Sequence, residues 1–196
     1  MRIISGKYKG RRISPPKNLP VRPTTDMSKE SLFNILNNRF DFEGLKVLDI
    51  FAGTGNLSYE FGSRGAEAIT AVDADFGCIK FIKQTAAEFV LNIMAVKADV
   101  YKFLAGHSSS YDIIVADPPY HFEQQKFEEV VKLVFDNNLL QEDGMMIIEH
   151  SRHTTLEHMM NWSFSKKYGG SIFSFFEFDK DETEEAINED PDVEEL

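Results

Sequence analysis

Residues 113–122 read IIVADPPYHF. An apolar run ends on Asp117, and Pro118 and Pro119 then fix the next backbone angles and remove two amide donors. The Asp117 carboxylate and the Pro118 carbonyl, rigidly presented, form a set of acceptors suited to a planar amino group with two hydrogens. Bonding both hydrogens favours a pyramidal nitrogen whose lone pair can attack an electrophilic carbon in line. A carboxylate is far too weak a base to deprotonate the neutral amine. It can take the proton released once the substituted nitrogen has become cationic. Tyr120 offers a face on which a base lifted from its stack can lie, a contact typically contributing about 1–3 kcal/mol. His121 and Phe122 read as wall or surface positions. A strand stop with an aromatic plug is the structural alternative for the tetrad.

A second constellation lies upstream in LDIFAGTGNLS, residues 48–58. Phe51, Ala52, Gly53 and Gly55 follow an apolar run, where open α/β sheets bind ligands. A dinucleotide loop would want a third small residue and no acid aimed at its pyrophosphate, whereas Asp49 stands inside the run. A carboxylate there favours S-adenosylmethionine, which carries a sulfonium and an ammonium against one carboxylate, and the glycines allow close backbone approach. Asp73 ends the next apolar run, 18 residues after Gly55, and can accept from both ribose hydroxyls. Such charge-assisted bonds contribute roughly 1.5–3 kcal/mol each. Asp75 is a neighbour that could substitute. Asp99, with Val100 beside it, ends a third run and could accept from an adenine amino group. Each strand-end Asp has helix N-capping as its alternative role.

The elements that must position these residues follow from periodicity. Apolar runs at 46–51, 68–73, 93–98, 111–116 and 145–149 predict strands, and amphipathic stretches near 56–64, 75–90, 123–137 and 153–160 predict helices. This alternation predicts an α/β fold, a Rossmann-like, mostly parallel sheet with helices on both faces. WSFSKKYGGSIFSFFEF, with its Gly169-Gly170 pair, predicts an antiparallel hairpin ending that sheet. Ahead of the domain, RIISGKYKGRRI predicts a β-hairpin about Gly6 and Gly10. A Pro-rich connector then leads to a helix, capped by Asp26 or Ser28 and running to about Arg39, with Leu32, Phe33, Ile35 and Leu36 on its buried face. The expected division is a basic N-terminal extension at 1–40, the ligand-binding domain at 41–179 and an acidic, disordered tail at 180–196.

Charge is unevenly distributed. The 196-residue chain carries a net −11, yet residues 1–22 hold seven Lys or Arg and no acid, while 177–196 hold eleven acids and one Lys. A basic N-terminus fits contact with nucleic-acid phosphates. No run is long enough to span a membrane, and the N-terminus lacks the apolar core of a secretory signal. Cys78 is the only cysteine, so no intrachain disulfide is possible, which fits a reducing cytoplasm. Its expected place is buried on a helix. The five histidines form no metal-ligand pattern with it, and no metal is expected.

With these motifs in hand, the sequence resembles a known family. DPPY after a class I methyltransferase glycine loop is an amino-methyltransferase motif shared by enzymes acting on adenine, guanine or a glutamine amide. MRIISGKYKGRRI, VRPTTD and ESLFNIL, followed by VLDIFAGTGNLSYEFGSRGA, resemble the RsmD family of bacterial 16S ribosomal RNA guanine-N2 methyltransferases across residues 1–178. The resemblance implies S-adenosylmethionine as methyl donor, a guanine exocyclic amine as acceptor (nucleotide 966 by family precedent), and an assembled small ribosomal subunit as substrate. It also implies that Arg22, Pro23, Thr24 and Thr25 stand at the active-site mouth, with Arg22 on a phosphate. Arg2, Lys7, Lys9, Arg11 and Arg12 complete the expected RNA-binding set, and a monomer is the expected state. Met27 and Ser28 stand where family members often carry basic residues, and the acidic tail lies outside the family pattern. Two rival readings are an adenine-N6 methyltransferase, for which the chain has no room for a target-recognition domain, and a non-catalytic RNA-binding assembly factor.

Overall fold

A computed structural model describes residues 1–17, 19, 25–119 and 122–179. Helix α1 (Asp26–Asn37) precedes strand β1 (Lys46–Ile50), and strict alternation follows: α2 (Asn56–Arg64), β2 (Ala68–Asp73), α3 (Phe76–Glu88), β3 (Ile93–Lys97), α4 (Val100–Gly106), β4 (Tyr111–Ala116), α5 (Gln124–Asp136) and β5 (Leu140–Ser151). Strands β6 (Trp162–Tyr168) and β7 (Ser171–Phe176) close the chain order. They join one seven-stranded sheet of order β3-β2-β1-β4-β5-β7-β6. β1 to β5 run parallel, and β7 pairs antiparallel with both β5 and β6. The Rossmann-like architecture and the terminal hairpin are therefore those the sequence predicts, with β7 inserted between β5 and β6.

Alternation along the strands divides the core. Leu48, Ile50, Ile114, Met146 and Ile148 face α4 and α5, meeting Val100, Leu104, Phe127, Val130 and Val134. Val47, Ile69, Ile113, Val115, Met145 and Ile147 face the opposite way, onto Leu32, Phe33 and Leu36 of α1 and Leu57 and Phe61 of α2. Ala71 and Ala95 on that second face meet Ile79 and Ile82 of α3. Cys78 is buried on α3, as expected. The order of strands places the first crevice between β1 and β4, where the connection reverses direction, and ligands bind at such switch points.

The N-terminal segment keeps its predicted pairing, and two predicted elements differ. The N-terminal hairpin pairs antiparallel about Arg2 and Arg12, with the Ile3 N–H donating to the Arg11 carbonyl, the Gly10 N–H to the Ile3 carbonyl and the Ile13 N–H to the Met1 carbonyl. Its other backbone donors bond α2: Ile4 and Ser5 donate to the Glu60 carboxylate, Lys7 to the Ser63 carbonyl and Tyr8 to the Ser63 hydroxyl. Residues 153–160 form turns, not a helix. There the Gln124 side-chain amide both donates to the Thr155 carbonyl and accepts from the Thr155 N–H, taking backbone groups a helix would have used. Helix α4, by contrast, was not predicted, and β5 begins at Leu140 rather than 145. A register irregularity near Tyr111–Ile113 accommodates that longer strand. Gly144 sits against it so closely that a Cβ would lie 2.9 Å from the Asp112 carbonyl oxygen.

Candidate active site

Every odd-numbered acid at the carboxyl ends of β1, β2, β4 and β5 emerges on the same sheet face, because parallel partners in register share a face. Asp49 pairs with Ala71 and Val115; Asp73, Asp117 and Glu149 continue the same alternation. They surround or underlie a cavity of about 990 Å³, a volume ample for a nucleoside-sized cofactor together with a base.

The glycine loop forms one wall. Phe51 and Gly53 both take the left-handed region, at φ 61° and 53°. The Gly53 N–H donates to Asp73 Oδ2 at 2.8 Å, and the Asp75 N–H donates to Asp73 Oδ1 at 2.8 Å. The two bonds orient the Asp73 carboxylate and leave each oxygen a further lone pair. Burial raises the pKa of Asp73, and those two backbone bonds oppose the rise. Phe51, Ala52, Gly53, Asp73, Asp99 and Val100 all line the cavity. Asp99 also caps α4, its carboxylate accepting from the Lys102 N–H, and Asp75 caps α3 by accepting from the Cys78 N–H. Capping and a place in the cavity wall thus coexist at Asp99, since one carboxylate has lone pairs to spare.

Asp49 and Gly55 stand behind this wall. Asp49 is 2% exposed and accepts from the Ser58 hydroxyl at 2.5 Å and the Ser58 N–H at 3.1 Å. Its carboxylate therefore ties β1 to the first turn of α2. Burial, with the charges of Asp117 and Asp73 nearby, pushes its pKa up to about 7. Gly55, at φ 81°, is the point where the loop turns into α2, and a Cβ there would lie 2.9 Å from the Tyr59 ring. Both residues shape the loop from the rear.

The opposite wall is the segment after β4. Asp117, Pro118 and Pro119 line the cavity, and the Phe122 N–H returns to the Pro119 carbonyl at 2.9 Å. Phe122 anchors that return, edge-on to Phe51 and Phe127 and stacked with Tyr101. Tyr120 and His121 lie outside the described residues, as do Arg22, Pro23 and Thr24. Thr25 is described: it caps α1 by accepting from the Ser28 N–H and lines the cavity mouth with Met27 and Ser28. Arg2, Lys7, Lys9, Arg11 and Arg12 are exposed, and none of them lines the cavity.

Sequence reasoning missed several residues of the wall. Tyr101, Lys126 and the β6–β7 turn from Tyr168 to Ser171 all border the cavity. So does Glu149, which ends the apolar run MMIIE as Asp73 and Asp117 end theirs; the same signal was present and would have found it. Among the described lining residues Lys126 is the single Lys or Arg, against Asp73, Asp75, Asp99, Asp117 and Glu149. A cavity so charged attracts cations and repels phosphates. The donor set therefore fits a sulfonium- and ammonium-bearing ligand and not a pyrophosphate.

Comparison with known proteins gives the chain its family. Residues 1–177 match the family model described as conserved hypothetical protein 95. Ribosomal RNA small subunit methyltransferase D of Escherichia coli (strain K12) is 32% identical over 175 residues, covering 88% of this chain and 86% of that protein. The protein of the same name from Buchnera aphidicola subsp. Baizongia pistaciae (strain Bp) is 32% identical over 172 residues, covering 85% of each. The solved structure of yhhF from Escherichia coli superposes with a TM-score of 0.80 at 28% identity, covering 91% of this chain and 99% of that one. On its family match, its relatives and its fold, the chain belongs to the conserved hypothetical protein 95 family, the RsmD family of ribosomal RNA methyltransferases.

Proposed function

We propose that the protein transfers a methyl group from S-adenosylmethionine to the exocyclic N2 amine of one guanine in 16S ribosomal RNA, in the assembled small subunit. The observation that carries this reading is the meeting of two motifs at one cavity: the Asp117-Pro118-Pro119 segment faces the glycine loop and the oriented Asp73 carboxylate. The names of the relatives support ribosomal RNA as the acceptor.

When bound, S-adenosylmethionine supplies an electrophilic methyl on a sulfonium. Asp73 would accept from the ribose hydroxyls and Asp99, with Val100, would meet the adenine. Phe51, Ala52 and Gly53 would flank the methionyl part, with Asp49 and Gly55 holding their loop from behind. Asp117 and the Pro118 carbonyl accept the two amine hydrogens, and Pro119 stiffens their presentation. Asp117 then takes the proton from the methylated, cationic nitrogen. Tyr120 is assigned the stacking face for the base. Thr25 at the mouth, together with Arg22, Thr24, Arg2, Lys7, Lys9, Arg11 and Arg12, is assigned the RNA backbone.

On this reading residues 1–40 are an RNA-contacting extension, 41–179 the transferase domain and 180–196 an acidic tail, and the protein acts in the cytoplasm as a monomer. Among the described residues no helix is long and apolar enough to cross a membrane. The test is methyl transfer from labelled S-adenosylmethionine to unmodified small subunits, protein-free ribosomal RNA and duplex DNA, followed by nucleoside analysis. N2-methylguanosine from the subunits is the expected product. N6-methyladenine, or no label in any acceptor despite cofactor binding, would overturn the reading.

A further inference from the structure

Glu149 takes no part in the chemistry above, yet its surroundings demand a partner. The pairing of Ala116 with Ile148 puts Glu149 beside Asp117 on the neighbouring strand, at the usual strand spacing of about 4.8 Å. The residue is 9% exposed, and its Oε2 has no hydrogen-bond partner among the described residues. Ser171 hydrogen-bonds the carboxyl, leaving Oε2 as the atom without a bond. A buried polar atom left unbonded costs about 1–3 kcal/mol, more for a charged group, and here a second carboxylate stands alongside. An ion pair would relieve that cost, but no Lys or Arg is paired with Glu149 among the described residues. The residue lines the cavity, as does the Gly169-Gly170 turn next to its partner Ser171. Gly169 and Gly170 have open space where a Cβ would stand, so that side admits a ligand. What the site lacks is a hydrogen-bond donor, delivered next to the group that Asp117 holds.

The base edge of guanine carries such a pair of neighbouring donors, N1–H beside the N2 amine. Adenine presents its amine beside a lone pair at N1. We propose that Glu149 reads the base, its carboxylate accepting the N1–H of guanine while Asp117 and the Pro118 carbonyl hold the N2 amine. This rests on the guanine-N2 reading and adds to it the residue that sets base specificity. The tetrad from Asp117 to Tyr120 orients an amine without distinguishing bases. An acceptor at Glu149 distinguishes them, because a carboxylate facing the adenine N1 lone pair would be repelled.

The experiment compares wild type with Glu149→Gln at pH 8, with S-adenosylhomocysteine present, titrating guanosine, 1-methylguanosine and the riboside of 2,6-diaminopurine by NMR. The last probe keeps the 2-amino group and replaces the N1–H by an acceptor. Wild type is expected to bind guanosine about tenfold or more tighter than either analogue, the factor of one hydrogen bond to a charged group. Glu149→Gln, whose amide can donate to an N1 lone pair, is expected to lose about tenfold of the preference over the diaminopurine riboside. An unchanged preference in Glu149→Gln, or no saturable guanosine binding by wild type, would overturn the inference. Thermal unfolding and S-adenosylhomocysteine binding of the variant separate a folding defect from a change in base reading. N2-methylguanosine formation on subunits by wild type, measured in parallel, keeps failure of this inference distinct from failure of the underlying function.

Discussion

At the scale of single residues the site is defined by acids held under unfavourable conditions. Asp117 is the one assigned to hold the amine and receive its proton. Replacing it with Ala is expected to lower turnover on small subunits about 10²–10³-fold, as for loss of one preorganised polar group. S-adenosylhomocysteine affinity should survive, and calorimetric titration beside the turnover assay checks both. Unchanged turnover would remove the role from Asp117. Asp49 and Glu149 make a thermodynamic prediction. Burial raises both carboxyl pKa values, that of Asp49 to about 7, and the Asp117 charge adds to the rise in each. Both groups thus bind protons more tightly folded than unfolded, so the fold weakens as pH rises from the unfolded carboxyl value near 4 through the folded one. Glu149→Gln replaces one of them with a neutral group of the same shape. Urea denaturation of the ligand-free protein should show a gain of about 1–3 kcal/mol at pH 8 that shrinks as pH falls to 5. A gain independent of pH, or a loss, would mean that the Glu149 carboxyl is comfortably ionised in the fold. Stability and base reading then pull the same residue in opposite directions, the trade expected where a site is built before its ligand arrives.

At the scale of elements, one buried carboxylate joins the N-terminal segment to the rest. Glu60, fully buried on α2, accepts from the Ile4 and Ser5 N–H groups and from Arg64 Nε, and pairs with Lys29 of α1 at 3.3 Å. Lys29 also donates to the Arg2 carbonyl and to Asn56 Oδ1, and Asn56 lines the cavity. Burial lowers the Lys29 pKa while Glu60 raises it back, so the ammonium depends on this partner. Glu60→Ala is expected to cost about 3–5 kcal/mol, the range for stranding a buried charge. Hydrogen exchange should show the amides of residues 4–8 losing protection before those of β1 and β4; uniform loss would contradict the idea of a local clasp. None of this clasp was legible in the sequence, because a Lys in an amphipathic helix and a Glu four residues before Arg64 look like solvated surface charges. The sheet was legible, since strands buried on both faces leave continuous apolar runs such as VLDIF and IIVA. Helix α4 was not, being seven residues long with its best start signal, Asp99, already read as a ligand. The 153–160 stretch has helical apolar spacing, but the partners of its backbone come from Gln124, far away in sequence. Likewise the site residues at strand ends could be named beforehand, whereas the cavity-facing role of the β6–β7 turn depends on β7 inserting beside β5, which no local pattern encodes.

At the scale of the whole molecule, charge separates an acidic cavity from a set of exposed cations. The cavity is acidic and repels phosphates. The exposed cations at Lys7, Lys9, Arg11 and Arg12 lie outside it, on a segment clasped to α2. Their local partners are weak: Arg11 stands 3.9 Å from an exposed Glu88 carboxylate, and Lys7 lies over the Tyr8 ring, contacts that solvent largely screens. These side chains are therefore available to phosphates, and each contact made releases counterions and adds about 0.7–0.9 to the slope of log K against log salt. Replacing all four with Ala should flatten that slope for a ribosomal RNA fragment by up to about 3, with the larger loss of affinity at low salt. Fold stability should change little at such exposed positions, and the affinity for guanosine in the cavity should not change, because none of the four lines it. Fluorescence anisotropy from about 50 to 200 mM salt, the interval over which phosphate contacts weaken most visibly, measures the slope directly. A slope that stays at the wild-type value would move RNA capture away from this segment. A slope that flattens together with a fall in guanosine affinity would mean instead that the clasp through Glu60 and Asn56 transmits damage at the N-terminus into the cavity.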